Sequence, residues 1–145
     1  MKPESEASGQ ITIGGRDPRI TKIGFILRKF KLDEFPQLIN ILKGDMSVVG
    51  PRPEVKKYVD LYNEDQLKVL TVSPGLTDYA SIQYMDENEL LGKSDNPEKT
   101  YINEIMPAKL ALNLKYLEER SFSLDMKLVF QTFFGIFSKS RESGN

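Results

Sequence analysis

The clearest pattern in the chain is a repeat of apolar residues at helical spacing near the C-terminus. Between Ser123 and Ser138, apolar side chains recur at the spacing i, i+3, i+4, i+7, i+8 and i+11, while Lys127, Gln131, Thr132 and Ser138 lie elsewhere. This pattern predicts an amphipathic helix, and we expect its stripe to face the core, since interfacial helices usually carry a more basic polar face. The stripe consists of Met126, Val129, Phe130, Phe133, Phe134 and Phe137.

Two further amphipathic helices are predicted near the N-terminus. Residues 18–30 carry apolar side chains at helical spacing after Asp17-Pro18, an N-cap followed by proline at the first helical position. Residues 33–43 predict a second helix, which ends at Gly44. The predicted buried face of this second helix consists of Phe35, Leu38, Ile39 and Leu42.

A short extended segment and a stiff turn follow. Residues 46–49 favour an extended strand, and residues 50–53, Gly-Pro-Arg-Pro, predict a turn in which two prolines restrict the backbone around Arg52. Residues 54–62 and 63–70 then predict two short helices, the second with an asparagine N-cap. The two prolines therefore make the backbone around Arg52 rigid.

The remaining elements complete the fold prediction. Residues 71–84 favour an irregular extended stretch around a Pro-Gly turn. After a loop over residues 92–97, a helix begins at Pro97 and is broken or kinked by Pro107 before it continues over residues 108–119. Together these patterns predict a single α+β domain, predominantly α-helical, with several short amphipathic helices and a small amount of irregular β structure.

Composition narrows the chemistry. The chain has 145 residues and contains neither cysteine nor histidine, which excludes thiolate catalysis, zinc fingers and the Ser-His-Asp mechanism. Twenty basic and 21 acidic residues give a net charge of -1, so nucleic acid is not an expected partner. The sequence has no apolar run of about 18 residues and no signal-peptide pattern, which predicts a soluble or peripheral chain.

The leading candidate site is a pair of adjacent carboxylates at the start of a predicted helix. Asp33 and Glu34 follow a basic run that includes Arg28 and precede Lys43 and the rigid Arg52. One carboxylate can attack phosphorus, a second can bind a divalent cation or accept a proton, and guanidinium groups suit phosphate oxygens. The alternatives remain open: Asp33 can be a simple N-cap, and the basic residues can be solvated ends of helices.

Seven motifs stand in order along the chain. They are residues 20–24 (ITKIG), 27–29 (LRK), 32–40 (LDEFPQLIN), 42–47 (LKGDMS), 49–54 (VGPRPE), 73–77 (SPGLT) and 121–127 (SFSLDMK). In this order they closely resemble the bacterial sugar transferase family, the monotopic polyprenyl-phosphate sugar-1-phosphate transferases that start exopolysaccharide, O-antigen and glycan assembly. The resemblance covers roughly residues 10–137.

The resemblance implies a two-step phosphoryl transfer. Asp33 would attack the sugar-bearing phosphorus of a nucleotide diphosphate sugar, usually a UDP-sugar, and expel UMP. The phosphosugar would then pass to a polyprenyl phosphate at the cytoplasmic face of the inner membrane. Asp33 and Glu34 would bind Mg²⁺, with Glu34 a metal ligand or proton acceptor, and Arg28, Arg52 and Lys43 would bind phosphate or substrate.

The chain departs from the family in two respects. Family members begin with an apolar membrane helix, whereas residues 1–15 of this chain are polar. We therefore expect residues 1–15 to be a flexible arm or the remnant of a longer N-terminal region. Residues 16–138 would form a partial sugar transferase catalytic domain and residues 139–145 a disordered tail. Many relatives also carry arginine before the Pro-Gly turn and Gly-Trp-Ala-Gln after it, where this chain has Ser73 and residues 78–81 (DYAS).

An alternative function remains open from the sequence. The chain could be a non-catalytic domain that keeps the fold and binds a membrane surface or a partner protein through the phenylalanines of its C-terminal helix. The sequence predicts neither the sugar nor the oligomeric state.

Overall fold

The computed structural model describes residues 21–29 and 35–142. The α-helices are α1 (Lys22–Lys29), α2 (Phe35–Lys43), α3 (Lys56–Val59), α4 (Tyr79–Gln83), α5 (Glu87–Gly92), α6 (Pro97–Thr100), α7 (Met106–Glu119) and α8 (Phe122–Glu142). A 3₁₀ helix covers Gln66–Thr71, and a π-helical turn, Tyr101–Ile105, leads directly into α7. The strands are β1 (Ser47–Val49) and β2 (Gly75–Thr77). The predicted class, a predominantly helical α+β domain, is confirmed.

The two strands form a small parallel sheet. Ser47 pairs with Gly75, and Val49 pairs with Thr77. The two backbones come very close to each other at Gly50 and Gly75. A Cβ atom added to Gly75 would lie 2.1 Å from the backbone nitrogen of Gly50. Glycine is therefore required at this crossing. It fixes the start of the Gly-Pro-Arg-Pro segment against the turn that precedes β2.

Side-chain caps fix several of the short helices. The Asn63 carboxamide oxygen accepts a hydrogen bond from the Gln66 backbone N–H at 2.9 Å, and the Gln66 side chain accepts one from the Asn63 N–H at 3.0 Å. Asn96 caps α6 by accepting from the Lys99 N–H at 3.0 Å. Such caps satisfy N–H groups that have no partner within the helix. Both caps were predicted from the sequence and are confirmed.

A π-helical turn explains how the chain passes Pro107. Proline has no N–H to donate to the carbonyl four residues earlier, so an uninterrupted α-helix is disfavoured there. The Met106 N–H instead bonds to the Tyr101 carbonyl, five residues back. The helix widens by one residue and continues. The π-helical turn thus accommodates Pro107, and two of its residues, Tyr101 and Ile105, are buried in the core.

The core has two parts. The larger surrounds α7 and the π-helical turn and contains Tyr58, Val69, Leu91, Tyr101, Ile105, Met106 and Leu110. The smaller joins β1, α7 and α8 and contains Val49, Tyr116 and Leu128. The predicted apolar side of residues 108–119 is confirmed, because Leu114 packs against the larger cluster and Leu117 against the smaller one.

The predicted buried face of α2 is wrong, and that of α8 is wrong for its described phenylalanines, although Val129 packs against the smaller core cluster. No residue of α2 is buried, and the four side chains of its predicted buried face are 41–88% exposed. In α8, Phe130, Phe133 and Phe134 are 55%, 57% and 67% exposed, while Leu128, outside the predicted stripe, is fully buried. The apolar periodicity defines a face, but burial also needs a second surface that covers the face. Within the described residues, no surface buries these faces. The side chain of Phe137 lies outside the described residues.

Two boundaries also differ from the prediction. The extended stretch predicted over residues 71–84 contains only the short β2, because the Asp78 carboxylate accepts a hydrogen bond from the Ser81 N–H at 2.6 Å and starts α4. Helix α8 continues to Glu142 and includes residues 139–142, which the sequence analysis assigned to the tail. In the described part of the chain, no helix is both long and apolar enough to span a bilayer.

Candidate functional site

The predicted catalytic pair is not part of the described structure. Asp33 and Glu34 lie outside the described residues. Arg28 belongs to α1, but its side chain also lies outside them. Lys43 is in the last turn of α2 and is exposed. The proximity of these four residues therefore stays a prediction.

The backbone just before Arg52 is held by two hydrogen bonds to β2. The Gly50 N–H donates to the Thr77 carbonyl at 2.9 Å, and the Gly75 N–H donates to the Pro51 carbonyl, also at 2.9 Å. Gly50 and Pro51 are buried, whereas Arg52 is exposed and lines a cavity. The rigid presentation predicted from the two prolines thus gains two hydrogen bonds to β2, at Gly50 and Pro51.

The cavity beside Arg52 has a volume of about 340 Å³. Residues 52–54 form one wall, and α4, the start of α5, the π-helical turn and α7 contribute the others. Its charged and amide lining includes Arg52, Glu54, Asp78, Glu87, Lys109 and Asn113. A concave site with a few converging polar groups is the usual form of a small-molecule site. We call it the Arg52 cavity.

Tyrosines near Glu54 are held in their neutral form. The Tyr101 hydroxyl donates a hydrogen bond to the Glu54 carboxylate. Burial, reinforced by this bond, raises the pKa of Tyr101 far above its ordinary value. Burial and the charge of Glu54 raise the pKa of Tyr62 to about 12. The other oxygen of the Glu54 carboxylate accepts a hydrogen bond from the Val55 N–H at 2.9 Å, so both oxygens hold this side chain in place.

An ion pair forms another part of the lining. The Lys109 ammonium lies 2.8 Å from the Glu87 carboxylate, and both side chains are about three-quarters buried. The same ammonium lies 5.5 Å from the centre of the Tyr101 ring. The pairing fixes a positive and a negative group side by side on α7 and α5.

Two buried polar residues complete the cavity. Asp78 is 1% exposed, and one of its oxygens caps α4. Asn113 is 7% exposed, and its carboxamide oxygen has no hydrogen-bond partner among the described residues. A buried polar atom without a partner costs about 1–3 kcal/mol. Asn113 is thus a residue whose presence the fold does not explain.

A second cavity of about 340 Å³ lies near β1 and the start of α8. Ser73, Arg120 and Asp125 line it. The Tyr116 hydroxyl donates to the Asp125 carboxylate at 2.8 Å. Burial, together with this hydrogen bond, raises the pKa of Tyr116 to about 12. Arg120 brings a cation to the cavity that contains Ser73.

Most of the polar residues of the Arg52 cavity were not predicted from the sequence. Asp78 was named only within residues 78–81, where the chain departs from the family pattern, and Lys109 and Asn113 were not singled out. One signal was present: Asn113 stands between Leu110 and Leu117 at helical spacing, so it is a polar residue on the apolar face of α7. Glu54 and Glu87 come from segments far apart in sequence, and only folding brings them together.

No metal centre is defined by the described residues. Among them, no group of three or more acidic side chains is placed to bind a metal ion. The predicted Mg²⁺ ligands, Asp33 and Glu34, lie outside the described residues, so this assignment stays a prediction.

The chain belongs to the bacterial sugar transferase family, which matches residues 1–139. It is 40% identical over 121 residues to UDP-glucose:undecaprenyl-phosphate glucose-1-phosphate transferase of Escherichia coli K12. It is 38% identical over 116 residues to the exopolysaccharide production protein ExoY of Rhizobium meliloti. It is 32% identical over 135 residues to UDP-N-acetylgalactosamine-undecaprenyl-phosphate N-acetylgalactosaminephosphotransferase of Aeromonas hydrophila.

These alignments include most of this chain but only part of each relative. They cover 81%, 80% and 91% of the chain, and 24%, 44% and 29% of the respective relatives. The chain therefore corresponds to less than half the length of these proteins. Membership of the family is thus established, while activity and substrates are matters for a proposal.

Proposed function

We propose that the chain is the catalytic portion of an enzyme that transfers a sugar 1-phosphate from a UDP-sugar to a polyprenyl phosphate. Relatives named for this reaction, with glucose and with N-acetylgalactosamine, support the class of donor and acceptor. On this chain, the position of Arg52 is the observation that carries the proposal. Two prolines flank Arg52, two hydrogen bonds to β2 fix the residues just before it, and it lines a polar cavity. Rigid guanidinium groups are well suited to bind phosphate.

In the proposed reaction, Asp33 is the nucleophile. Its carboxylate oxygen attacks the phosphorus that carries the sugar, the bond from that phosphorus to the bridging oxygen breaks, and UMP leaves with the electron pair. An oxygen of the polyprenyl phosphate then attacks the same phosphorus and breaks its bond to Asp33. The carboxylate is regenerated, and the lipid carries a diphosphate-linked sugar.

The remaining residues would offset negative charge. Arg28, Arg52 and Lys43 bind phosphate oxygens or other parts of the substrate, and Glu34 binds the metal or accepts a proton. Mg²⁺ bound by Asp33 and Glu34 would supply electrostatic stabilisation of the phosphate groups. The site of action is the cytoplasmic face of the bacterial inner membrane, where the lipid acceptor lies. The exposed apolar faces of α2 and α8 support contact with that surface.

The test is release of UMP from a panel of UDP-sugars in the presence of Mg²⁺. We expect Asp33→Asn to abolish release and to prevent formation of a phosphosugar adduct detectable by mass spectrometry. Glu104→Gln, an exposed position on the π-helical turn outside the cavity lining, is the matched control and should retain release. Equal turnover by Asp33→Asn and the unaltered chain would remove the nucleophile assignment.

A second function is favoured by one observation. Phe130, Phe133 and Phe134 expose more than half of their surface on one side of α8. A non-catalytic domain that binds a membrane surface would present such a face. Co-sedimentation with liposomes that depends on these phenylalanines, together with no UMP release from any UDP-sugar, would favour this second function.

A further inference from the structure

We infer that the Arg52 cavity binds the sugar ring of the donor and that Asn113 recognises a hydroxyl group of that ring. This inference rests on the proposed function and goes beyond it by assigning a place and a contact to the sugar. Its starting point is the unpartnered carboxamide oxygen of Asn113 in the lining of a polar cavity. A hydroxyl group in the cavity would supply the missing hydrogen bond.

The balance of donors and acceptors favours a sugar. Glu54, Asp78 and Glu87 carry carboxylates, which accept hydrogen bonds when ionised, and the Asn113 oxygen is a further acceptor. A hexose ring presents several hydroxyl donors. Uracil presents two carbonyl acceptors and a single N–H donor. The lining therefore complements the sugar better than the base.

Several groups in the cavity are already fixed by other contacts. Glu54 accepts from the Tyr101 hydroxyl, and Lys109 pairs with Glu87. One oxygen of Asp78 is engaged in capping α4. These contacts hold the side chains in place before a ligand arrives, which lowers the entropic cost of binding. Asn113 differs because its oxygen is buried without such a contact.

The position of Arg52 links this cavity to the phosphate. Arg52 lines the same cavity as Asn113 and belongs to the segment proposed to bind phosphate. In a sugar 1-phosphate the ring is joined to phosphorus through a single oxygen atom. A phosphate held at Arg52 therefore places the ring within reach of the cavity, and no second site is required.

Binding of small ligands to the 145-residue chain provides the test. Glucose, galactose, N-acetylglucosamine and N-acetylgalactosamine 1-phosphates are titrated separately by calorimetry, with UMP and inorganic phosphate as reference ligands. The variants are Asn113→Leu, which removes the amide at similar volume, and Asn113→Asp, which keeps an acceptor oxygen. Asn103→Leu, exposed on the π-helical turn, is the matched control. Asn113→Ala replaces the leucine variant if the latter does not fold.

We expect Asn113→Leu to weaken binding of the preferred hexose 1-phosphate by about tenfold or more, the effect of one lost hydrogen bond in a buried site. Binding of UMP should be unchanged, and Asn113→Asp should retain most of the hexose 1-phosphate affinity. The melting temperature of Asn113→Leu should not fall, because the leucine has no polar atom to leave without a partner. Asn103→Leu should change neither measurement.

Three results would overturn the inference. They are equal hexose 1-phosphate affinity in Asn113→Leu and the unaltered chain, an equal loss of UMP affinity in that variant, and absence of hexose 1-phosphate binding to the unaltered chain. The proposed function is judged separately by UMP release from UDP-sugars. A chain that binds hexose 1-phosphate through Asn113 but releases no UMP would contradict the proposed reaction and leave the sugar pocket standing.

Discussion

The core around α7 and the outer faces of α2 and α8 are built from similar apolar residues, yet they are buried to very different degrees. Leu91 and Leu110 in the larger core cluster are 0% and 3% exposed. Leu42 on α2 is 88% exposed, and Phe134 on α8 is 67% exposed. The difference lies in the neighbours. Leu91 and Leu110 pack within a cluster that joins helices, the π-helical turn and the 3₁₀ helix, whereas within the described residues no element buries the outer faces.

The comparison shows that the apolar side of a helix and the burial of that side are separate properties. Helical periodicity reports that a segment has an apolar side. Burial depends on a second surface of matching shape, which comes from distant parts of the chain or from outside it. The core therefore carries the stability of the domain, and the outer faces are available for contact with another surface.

The largest expected effect comes from the same substitution made in the two regions. Leu91→Ala removes a fully buried side chain and leaves a cavity, so we expect a loss of about 4 kcal/mol in the free energy of unfolding. Leu42→Ala removes a side chain that is already 88% exposed, and should change that free energy by less than about 0.5 kcal/mol. Urea denaturation measures both values. Similar losses in the two variants would show that α2 is covered in solution.

A second prediction concerns two glycines that are required for different reasons. Alanine at Gly75 would place its Cβ atom 2.1 Å from the backbone of Gly50, which must then move. We expect Gly75→Ala to cost about 3 kcal/mol, as strong overpacking does. Gly44 ends α2 with φ of 84° and has nothing within 4 Å of an added Cβ atom.

The control for this prediction is therefore Gly44→Ala. Only the backbone conformation opposes alanine there, at a cost of about 1 kcal/mol. Thermal or urea unfolding compares the two variants. A larger loss at Gly44 than at Gly75 would contradict the close crossing of the strands.

Much of the local structure could be predicted from sequence, because its causes are local. Asn63 and Asn96 cap helices through hydrogen bonds to residues three positions ahead, and Gly44 ends α2 where positive φ is required. The short strand beginning at Ser47 was also predicted. Each of these features depends on a few consecutive residues. The effect of Pro107 was predicted only in part, because a π-helical turn restores the helix that proline interrupts.

The candidate site could be predicted less well, because its polar residues come from distant segments. Arg52 was predicted from its flanking prolines, which are a local signal. Glu54, Glu87 and Lys109 meet only when α5 and α7 pack beside the Gly-Pro-Arg-Pro segment. Asn113 gave a usable signal as a polar residue on an apolar face, and a search for such exceptions would have found it.

A smaller effect is expected at the junction of the core with α8. The Tyr116 hydroxyl donates to Asp125 at 2.8 Å and connects α7 with the first turns of α8. Tyr116→Phe keeps the ring and removes this bond, at a cost of about 1 kcal/mol in the free energy of unfolding. Phe130→Leu, on the exposed side of α8, should change that free energy by less than about 0.5 kcal/mol. Urea denaturation at neutral pH distinguishes the two, and equal stability of Tyr116→Phe and the unaltered chain would contradict the hydrogen bond.

The smallest effect at neutral pH is expected at Tyr62, because its contribution changes only in alkali, and it again separates the two regions. Tyr62 packs against the larger core cluster, and burial together with the charge of Glu54 raises its pKa to about 12. In the unfolded chain the tyrosine side chain has its usual pKa of about 10, so it loses its proton near pH 10. Between roughly pH 10 and 12 the unfolded chain therefore binds fewer protons than the native chain, so stability falls as pH rises.

Helices α2 and α8 contain no tyrosine, so this loss belongs to the core. Tyr62→Phe should make the fall in urea midpoint between about pH 10 and 12 shallower, while the midpoint at pH 7 changes little, because a phenylalanine cannot ionise. An equally steep fall in this variant would mean that Tyr62 ionises as readily in the folded chain as in the unfolded one. The wall of the Arg52 cavity beside Glu54 would then be open to water, and the acceptors proposed to bind a sugar would be less well shielded than the core around them.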